Sequence, residues 1–516
     1  MGKAFDVEWD DFTGGHFVGA RGTGQPMNTW TGDNVICTAD EGMLMAAPSW
    51  TSSNQIFSIG AAGTLSSPMR ASIYNGTYLQ DFGVLTALTN TSTLYSVSLS
   101  TGTVTSLGAL SYQPSVEHAT RFGTRWVSTA NGNPVVVYNA NGGSATYYSA
   151  AGSMGGGAWT WGQFVVAATS AGDKLYYSAA GDVTSWPSGN YLTFGETGGS
   201  NRILTVVPTN DTLYVLTTGA WWAVTGVLGQ TTTIRRLTPT GATGAIYSGV
   251  GATTSVLACE TVGGIFTYGG GDGEPLTLVS GTQVRPVLHL AADKKITRLA
   301  RSGYHVLGQQ NDEKLWVYSE RHHRWRTASL AATNGSGHTA YYQPVEDLEG
   351  DAKIAMTVVY RNGSSSSTGY VVSQEAEPTQ PTTTSGVFDV ATVTLAEYRA
   401  KEPFRVKKLL VEVDFGQPTT QTGQRSLGAQ VLTNSRIGLP ARFLRTTSGE
   451  VDPLATAPYT ADTFTQTWND ATATLRGDRV LLDFDVADGA DTFAAAPRIG
   501  MRGVKVRRVI MRAETV

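Results

Sequence analysis

The chain is predicted to be all-β: a β-propeller of about seven blades, six to eight by its spacing, followed by a C-terminal β-sandwich domain. Three observations predict this. The first is a short phrase: a polar turn residue, an aliphatic, then usually an aromatic. It recurs as Gln55-Ile56-Phe57, Thr93-Leu94-Tyr95, Lys174-Leu175-Tyr176, Thr212-Leu213-Tyr214, Gly264-Ile265-Phe266 and Lys314-Leu315-Trp316, with a looser copy at Val135-Val136-Val137-Tyr138. Its central aliphatics fall at 56, 94, 136, 175, 213, 265 and 315, in steps of 38, 42, 39, 38, 52 and 50. A repeat of roughly 40–50 residues built from short strands is the spacing of four-stranded blades. The second is composition: 60 glycines and 15% charged residues in 516 suit short strands and tight turns, not charged helices. The third is a change of texture after a Pro- and Thr-rich stretch, which marks a second domain.

In chain order, residues 1–50 read as an extended N-terminal arm joining the propeller, with a turn at Asp10-Asp11-Phe12-Thr13-Gly14-Gly15 and an apolar strand at Met43-Leu44-Met45. Residues 51–373 are the propeller. Its hairpins are legible at 163–168 with 175–178, at 203–207 with 213–217, and at 304–307 with 315–318, each pair bracketing a polar loop. A further hairpin, 354–360 with 369–373, flanks Asn362-Gly363-Ser364-Ser365-Ser366-Ser367-Thr368. Such units close into a ring because a lone blade leaves both faces apolar until neighbours cover them. Residues 374–386, with Pro378 and Pro381, form the linker, and 387–516 the sandwich. Strands are expected there at 406–413, 430–432, 441–444, 480–486 and 501–511, with one helical turn near 395–401.

Charge and cysteines bound the function classes. Thirty-seven basic against 41 acidic side chains give a net charge of −4, too balanced for a nucleic-acid binder. Two cysteines, Cys37 and Cys259, cannot make a disulfide framework and read as buried free thiols. The N-terminal residues lack the apolar core of a signal peptide, and no apolar run reaches the roughly 18 residues of a membrane helix. Assembly in a cytosol with no membrane anchor is the expectation.

The sequence shows no reactive cluster. The stretch Ser178-Ala179-Ala180-Gly181-Asp182-Val183-Thr184-Ser185-Trp186 comes nearest to a sialidase Asp-box, but its Asp is two positions late and its Gly precedes the Asp. No spacing singles out a carboxylate pair for glycoside hydrolysis. Of seven histidines only His322 and His323 are adjacent, and strand neighbours point to opposite faces, so 319–325 reads as an exposed turn. The glycine runs Gly152-Ser153-Met154-Gly155-Gly156-Gly157 and Gly269-Gly270-Gly271-Asp272-Gly273 lack a phosphate loop's Lys-Ser/Thr ending and read as loop tips. Neither a catalytic residue, a cofactor nor a metal is expected. Trp221-Trp222 and Tyr341-Tyr342 suit either inter-blade packing or sugar stacking. One charged feature stands out: Arg405, Lys407 and Lys408 open the last domain, and Arg498, Arg502, Lys505, Arg507, Arg508 and Arg512 close it. A basic strand edge there is a candidate assembly edge for an acidic partner surface or DNA, or simply a charged strand that resists edge-to-edge pairing.

Three phrases resemble a known family. Asp11-Phe12-Thr13-Gly14-Gly15, with Asn34-Val35 and Glu41-Gly42-Met43-Leu44, resembles the opening of tailed-phage virion proteins. Leu175-Tyr176-Tyr177-Ser178, Gly181-Asp182 and Trp186 resemble a second phrase of theirs, and 204–222 a third. These are the tail nozzle, or tail tubular protein B, of short-tailed phages and the packaged-DNA stabilisation proteins that close the portal. The likeness covers about residues 5–330 as a pattern, with Thr13 where Ser is commoner. It implies a propeller with added β-domains, six copies around the tail axis, contacts to adaptor or portal-side proteins and to tail fibres or tip proteins, and genomic DNA passing through without sequence-specific binding. Mild acidity suits a channel wall that must not hold DNA, and the basic strand would then be a subunit contact. The expectation is a non-enzymatic virion protein of the tail. The alternatives are a minor tail-tip protein, a glycan-binding or glycan-cleaving receptor propeller, and a bacterial scaffold propeller.

Overall fold

The structure is a computed structural model. It describes residues 2–16, 26–32, 34–38, 42–49, 154–169, 172–195, 202–237, 387–414, 425–433 and 491–516, and elsewhere the strands named below with a few flanking residues. Every regular element among the described residues is a strand.

Seven antiparallel sheets follow one another along the chain. The first holds Val84–Leu88, Thr93–Ser98 and Val104–Ala109; the second Thr120–Phe122, Arg125–Ala130, Asn133–Asn139 and Thr146–Tyr148. The third holds Met154–Trp161, Phe164–Thr169, Lys174–Tyr177 and Tyr191–Thr193; the fourth Ile203–Pro208, Thr212–Thr217, Trp221–Thr225 and Thr233–Arg236. The fifth holds Gly249–Gly251, Leu257–Thr261, Gly264–Tyr268 and Thr277–Leu278; the sixth Ile296–Ser302, His305–Gln310, Lys314–Ser319 and Arg324–Ser329. The seventh joins Thr339–Val345, Lys353–Asn362 and Ser366–Glu375 to Thr51–Ser52 and Phe57–Ile59 from the start of the chain. From the third sheet to the seventh, the first strand of each lies against the first strand of the next, and Phe57–Ile59 also touches Val104–Ala109. That is the arrangement of a β-propeller, with an N-terminal strand completing the last sheet.

The period-2 alternation of strands explains the stacking. In the third sheet Val165, Ala167 and Tyr176 pack towards Val127 of the second. Their neighbours Val166, Ala168, Leu175 and Tyr177 pack towards Ile203, Val206, Leu213 and Val215 of the fourth. Middle strands are therefore buried on both faces, whereas the outermost strand Thr233–Arg236 is exposed at every residue.

Apart from a two-stranded ribbon of Thr383–Thr384 and Val387–Phe388, the other described strands form one twelve-stranded sheet. Its order is Gly15–His16, Thr29–Thr31, Val390–Leu395, Thr492–Arg502, Ser426–Thr433, Arg442–Thr446, Arg479–Val486, Tyr398–Asp414, Lys505–Thr515, Leu44–Ala46 and Val35–Cys37, with Ala4–Trp9 also on Lys505–Thr515. The start of the long strand Tyr398–Asp414 additionally pairs with Thr492–Arg502, so the sheet curls round a single core. Trp9, Phe12, Trp30, Phe404, Leu409, Phe484, Ile499, Val509 and Met511 fill it.

Five expectations are corrected here. The arm is hydrogen-bonded into the C-terminal sheet, register Ala4↔Glu514 to Trp9↔Val509, because its apolar alternation matches the last strand. In place of the two separate sheets expected of a sandwich, the described strands pair into this one continuous curled sheet. The helical turn near 395–401 is a break of two residues between strands Val390–Leu395 and Tyr398–Asp414. The single strand at 501–511 is a hairpin instead. Gly503 turns it at φ +63°, where an added Cβ would also lie 2.6 Å from the Phe388 ring. The glycine run ending at Gly157 is no loop tip either. Its described part, 154–157, lies in strand Met154–Trp161 at a register shift, and Gly157 N–H donates to Thr129 Oγ1 of the second sheet at 3.0 Å. Pro378 and Pro381 of the linker are buried, and Gln374 at its start closes the last blade strand. The loop 269–273 and residues 363–365 lie outside the described residues.

Candidate functional site

The expected basic edge is not an edge. Tyr398–Asp414 is flanked by Arg479–Val486 and Lys505–Thr515, and the latter by the arm. Seven of its cations meet a carboxylate across the strands, among them Arg405–Asp491 at 2.8 Å, Lys407–Glu514 at 2.7 Å, Lys408–Asp483 at 3.0 Å, Arg512–Asp6 at 3.4 Å and Arg507–Glu412 at 3.8 Å. Arg508 bridges Glu8 and Glu412, both at 3.0 Å, and Glu8 first of all holds its guanidinium protonated more firmly than usual. Lys505, 2% exposed, reaches Asp414 at 3.9 Å. The seven cations and seven carboxylates cancel.

Two register shifts bring the doublets Lys407-Lys408 and Arg507-Arg508 into this layer, one shift between Val406 and Lys408, the other between Glu412 and Val413 opposite Arg507. In a regular strand one residue of each doublet would point into the core; the extra residue of a bulge lets both face outward. Leu410, on this outer face, is nevertheless 4% exposed, because its neighbours Lys408, Glu412, Asp483 and Ile510 lay their stems beside it. Arg498 and Arg502 stand apart, in register with Thr394 and Gln430 and with Val390 and Ser426. Sequence spacing shows the cations but not their pairing: Glu412, Asp414 and Glu514 lie in the two basic strands themselves, whereas Asp6, Glu8, Asp483 and Asp491 come from elsewhere in the chain.

The double reversal Arg507→Glu and Arg508→Glu sets like charges against Glu8 and Glu412. It should lower the melting temperature of the monomer by several degrees at about 0.05 M salt, with much of the loss recovered at about 0.5 M. A salt-independent melting point equal to that of the parent would contradict the ladder.

The phrases singled out in the sequence form joints. Asp11 Oδ1 accepts from Thr13 Oγ1 at 2.6 Å and from Thr13 N–H at 2.8 Å, and these bonds hold its carboxyl below the usual range. Gly14 lies so close to Asn28 that a Cβ would sit 2.8 Å from its carbonyl oxygen. Phe12 is fully buried, its carbonyl accepting from Trp30 Nε1 at 3.2 Å. Gly15 seats against Trp325 of the sixth sheet. Asn34, at φ 56°, donates its N–H to Thr327 O of the same sheet at 3.3 Å; asparagine tolerates that left-handed backbone.

The second phrase builds the crossing from Lys174–Tyr177 to Tyr191–Thr193. Ser178 Oγ accepts from Val165 N–H at 3.1 Å and donates to Ala179 O at 3.0 Å. Asp182 Oδ1 accepts from Thr184 Oγ1 and N–H at 2.6 and 2.9 Å. Trp186 donates to Val183 O at 2.9 Å and is 8% exposed among Val127, Met154 and Tyr176. In the third phrase Thr217 Oγ1 accepts from Gly219 and Ala220 N–H and donates to Ala220 O, closing a tight turn. Trp221 is 2% exposed, and Trp222 is half-buried between Phe194, ring centroids 6.0 Å apart, and the Arg236 guanidinium at 5.9 Å. Neither ring is an open stacking platform; the side chains of Tyr341 and Tyr342 lie outside the described residues.

Sequence reasoning missed the place where the arm meets the sixth sheet. Trp30, Ile36, Cys37, His305, Ser319, His322, Arg324, Trp325, Arg326 and Pro378 are among the residues enclosing a cavity of about 30 Å³ there. The signal was available: Arg324 and Arg326 stand two apart in one strand and so share a face. His322 does sit in a turn, its N–H donating to Ser319 Oγ at 3.3 Å, but it is half-buried; His323 is outside the described residues. Gln374 clamps the junction, accepting from Arg326 Nη2 at 3.0 Å and donating to the Pro48 carbonyl. Among the described residues no group of three His, Cys, Asp or Glu is placed to hold a metal ion, and no helix is long and apolar enough to cross a membrane.

Cys37 is a free, buried thiol, and burial pushes it up from 9.0 to about 11. The folded protein keeps this proton where the unfolded chain loses it. Its contribution is thus fully present below pH 9 and lost as pH rises towards 11, about 2–3 kcal/mol in all. Cys37 should resist alkylation at pH 8 in the native protein, read by peptide mass spectrometry, and Cys37→Ala should flatten that alkaline loss.

No protein-family model matches the chain, and no curated protein is similar to it. Solved structures that it resembles include a chain of the mitotic checkpoint complex, with TM-score 0.40 and 11% identity over 62% of this chain and 94% of that one. Others are YCF48 bound to D1 peptide, at 0.39 and 13% over 63% and 97%, and AztD of Citrobacter koseri, at 0.38 and 10% over 64% and 90%. These likenesses are too remote to carry a function.

Proposed function

We propose that the protein is a structural component of a tailed-phage virion, part of the tail nozzle or of the ring that closes the portal, acting as a homo-oligomer of six copies. In this reading the seven sheets are the blades of one propeller and the curled sheet is its appended β-domain, in the place of the expected sandwich. The observation that supports it is the use made of the three family-like phrases. Their polar groups are spent on internal bonds that weld the arm, the C-terminal sheet and the blades together. Such a welded build suits a rigid conduit. The net charge of −4 suits a wall past which DNA slides without being held, and the self-neutralised ladder leaves subunit and adaptor contacts to other surfaces. Adaptor or portal-side proteins and fibres or tip proteins are the expected partners.

Antibodies to the purified protein, applied to intact virions from the source and viewed by electron microscopy, test this. Label on the tail axis supports the proposal, and its height separates portal closure, nozzle and tip. Complete particles without label overturn it.

A further inference from the structure

We infer that the cavity between the arm and the sixth sheet is a binding site for a carboxylate-sized anion, held from the sixth sheet under the cover of the arm. Four groups that carry or can carry positive charge line it: the guanidiniums of Arg324 and Arg326 and the imidazoles of His305 and His322. Ser319 adds a hydroxyl, and the described lining contains no carboxylate. Asp11 of the arm bears electrostatically on both Arg324 and Cys37 without being among the lining residues.

The walls are otherwise apolar. Trp30 and Trp325 are each 1% exposed, Val317 is 1% and Ile36 4%. In such surroundings an ionic contact is stronger than in water. Size bears on the ligand: one water needs about 10–15 Å³ by this measure, so a cavity of about 30 Å³ admits a group the size of two or three waters. A planar carboxylate matches the fork of an arginine, which a spherical halide does not. The lining comes from both bodies. Trp30, Ile36 and Cys37 belong to the arm, whereas His305, Ser319 and the arginines belong to the sixth sheet. An anion held there is bonded from the sixth sheet and covered by the arm, which the bonds from Arg324 Nη1 to Cys37 O at 3.5 Å and from Thr327 Oγ1 to Gly32 O at 3.4 Å already tie to that sheet.

The test uses the full chain with sodium formate replacing sodium chloride at constant ionic strength and pH. Formate should raise the melting temperature saturably, by about 2–5 °C at a hundredfold excess over its dissociation constant, and broaden the ¹³C-formate resonance. Both effects should vanish in Arg324→Gln and persist in Arg405→Gln, which lies on the charged face. If Arg324→Gln does not fold, His322→Leu takes its place, with formate binding expected to weaken at least fivefold. Formate acting no better than chloride, or acting equally on the cavity variants, overturns the inference. A poly-glutamate peptide that outcompetes formate would make the natural anion a partner's side chain; failure to compete would make it a free ion.

Discussion

Replacing Trp30 with alanine is expected to cost about 3–5 kcal/mol, the range for emptying a buried tryptophan site. Trp30 is 1% exposed and joins three things. Its strand Thr29–Thr31 carries the pairing to Val390–Leu395, its Nε1 donates to the Phe12 carbonyl at 3.2 Å, and its ring walls the cavity against the sixth sheet. Removing the ring therefore opens the core and takes from the buried Phe12 carbonyl one of its two donors, leaving Gly15 N–H at 3.4 Å. The measurable result is an early loss of amide protection in the arm and in Val390–Leu395, with the third and fourth sheets unaffected. Trp30→Phe keeps most of the volume and loses the indole bond, so a cost nearer 1–2 kcal/mol is expected. If both variants unfold like the parent, the arm is not packed as seen.

Trp186→Ala should do comparable damage elsewhere, about 3–5 kcal/mol, this time between the second and third sheets. The ring fills the space among Val127, Met154, Ala158 and Tyr176, with Phe122 and Tyr148 beside it. No strand pairing is touched, because Trp186 lies on the crossing between strands, so the loss reports sheet-to-sheet packing alone. Hydrogen exchange should speed up in Arg125–Ala130 and Phe164–Thr169 while the C-terminal sheet keeps its protection. Thr184→Ala, which removes only the hydroxyl bond to Asp182, should be much milder. Equal effects from the two changes would mean that the turn matters and the ring does not.

The repeat phrase shows how much of this fold was legible. It opens the third strand of the third, fifth and sixth sheets, at Lys174, Gly264 and Lys314, but the second strand of the fourth sheet, at Thr212. Polar-aliphatic-aromatic describes a strand leaving a turn with both faces to be buried, and that holds at either position. The candidate site was legible only by half. Arg507 and Arg508 are visible in any reading; that a bulge turns both outward onto Glu412 and Glu8 is not. The junction of His305, His322, Arg324 and Arg326 went unread because its other wall, Trp30 to Cys37, is some 270 residues away in the chain.

The sequence by itself determined that this protein is built of short strands, that hairpins repeat at about blade spacing, and that a second β region follows a proline-bearing linker. Those features rest on local alternation and turn chemistry, which act over a few residues. Only the tertiary structure decided that the first fifty residues finish the last domain, that the basic strands lie inside a sheet with their charge cancelled, and that two histidines and two arginines share one cavity. Each of these depends on which distant strand an apolar face finds to cover it, and many partners satisfy one alternating pattern equally well until the whole chain is packed.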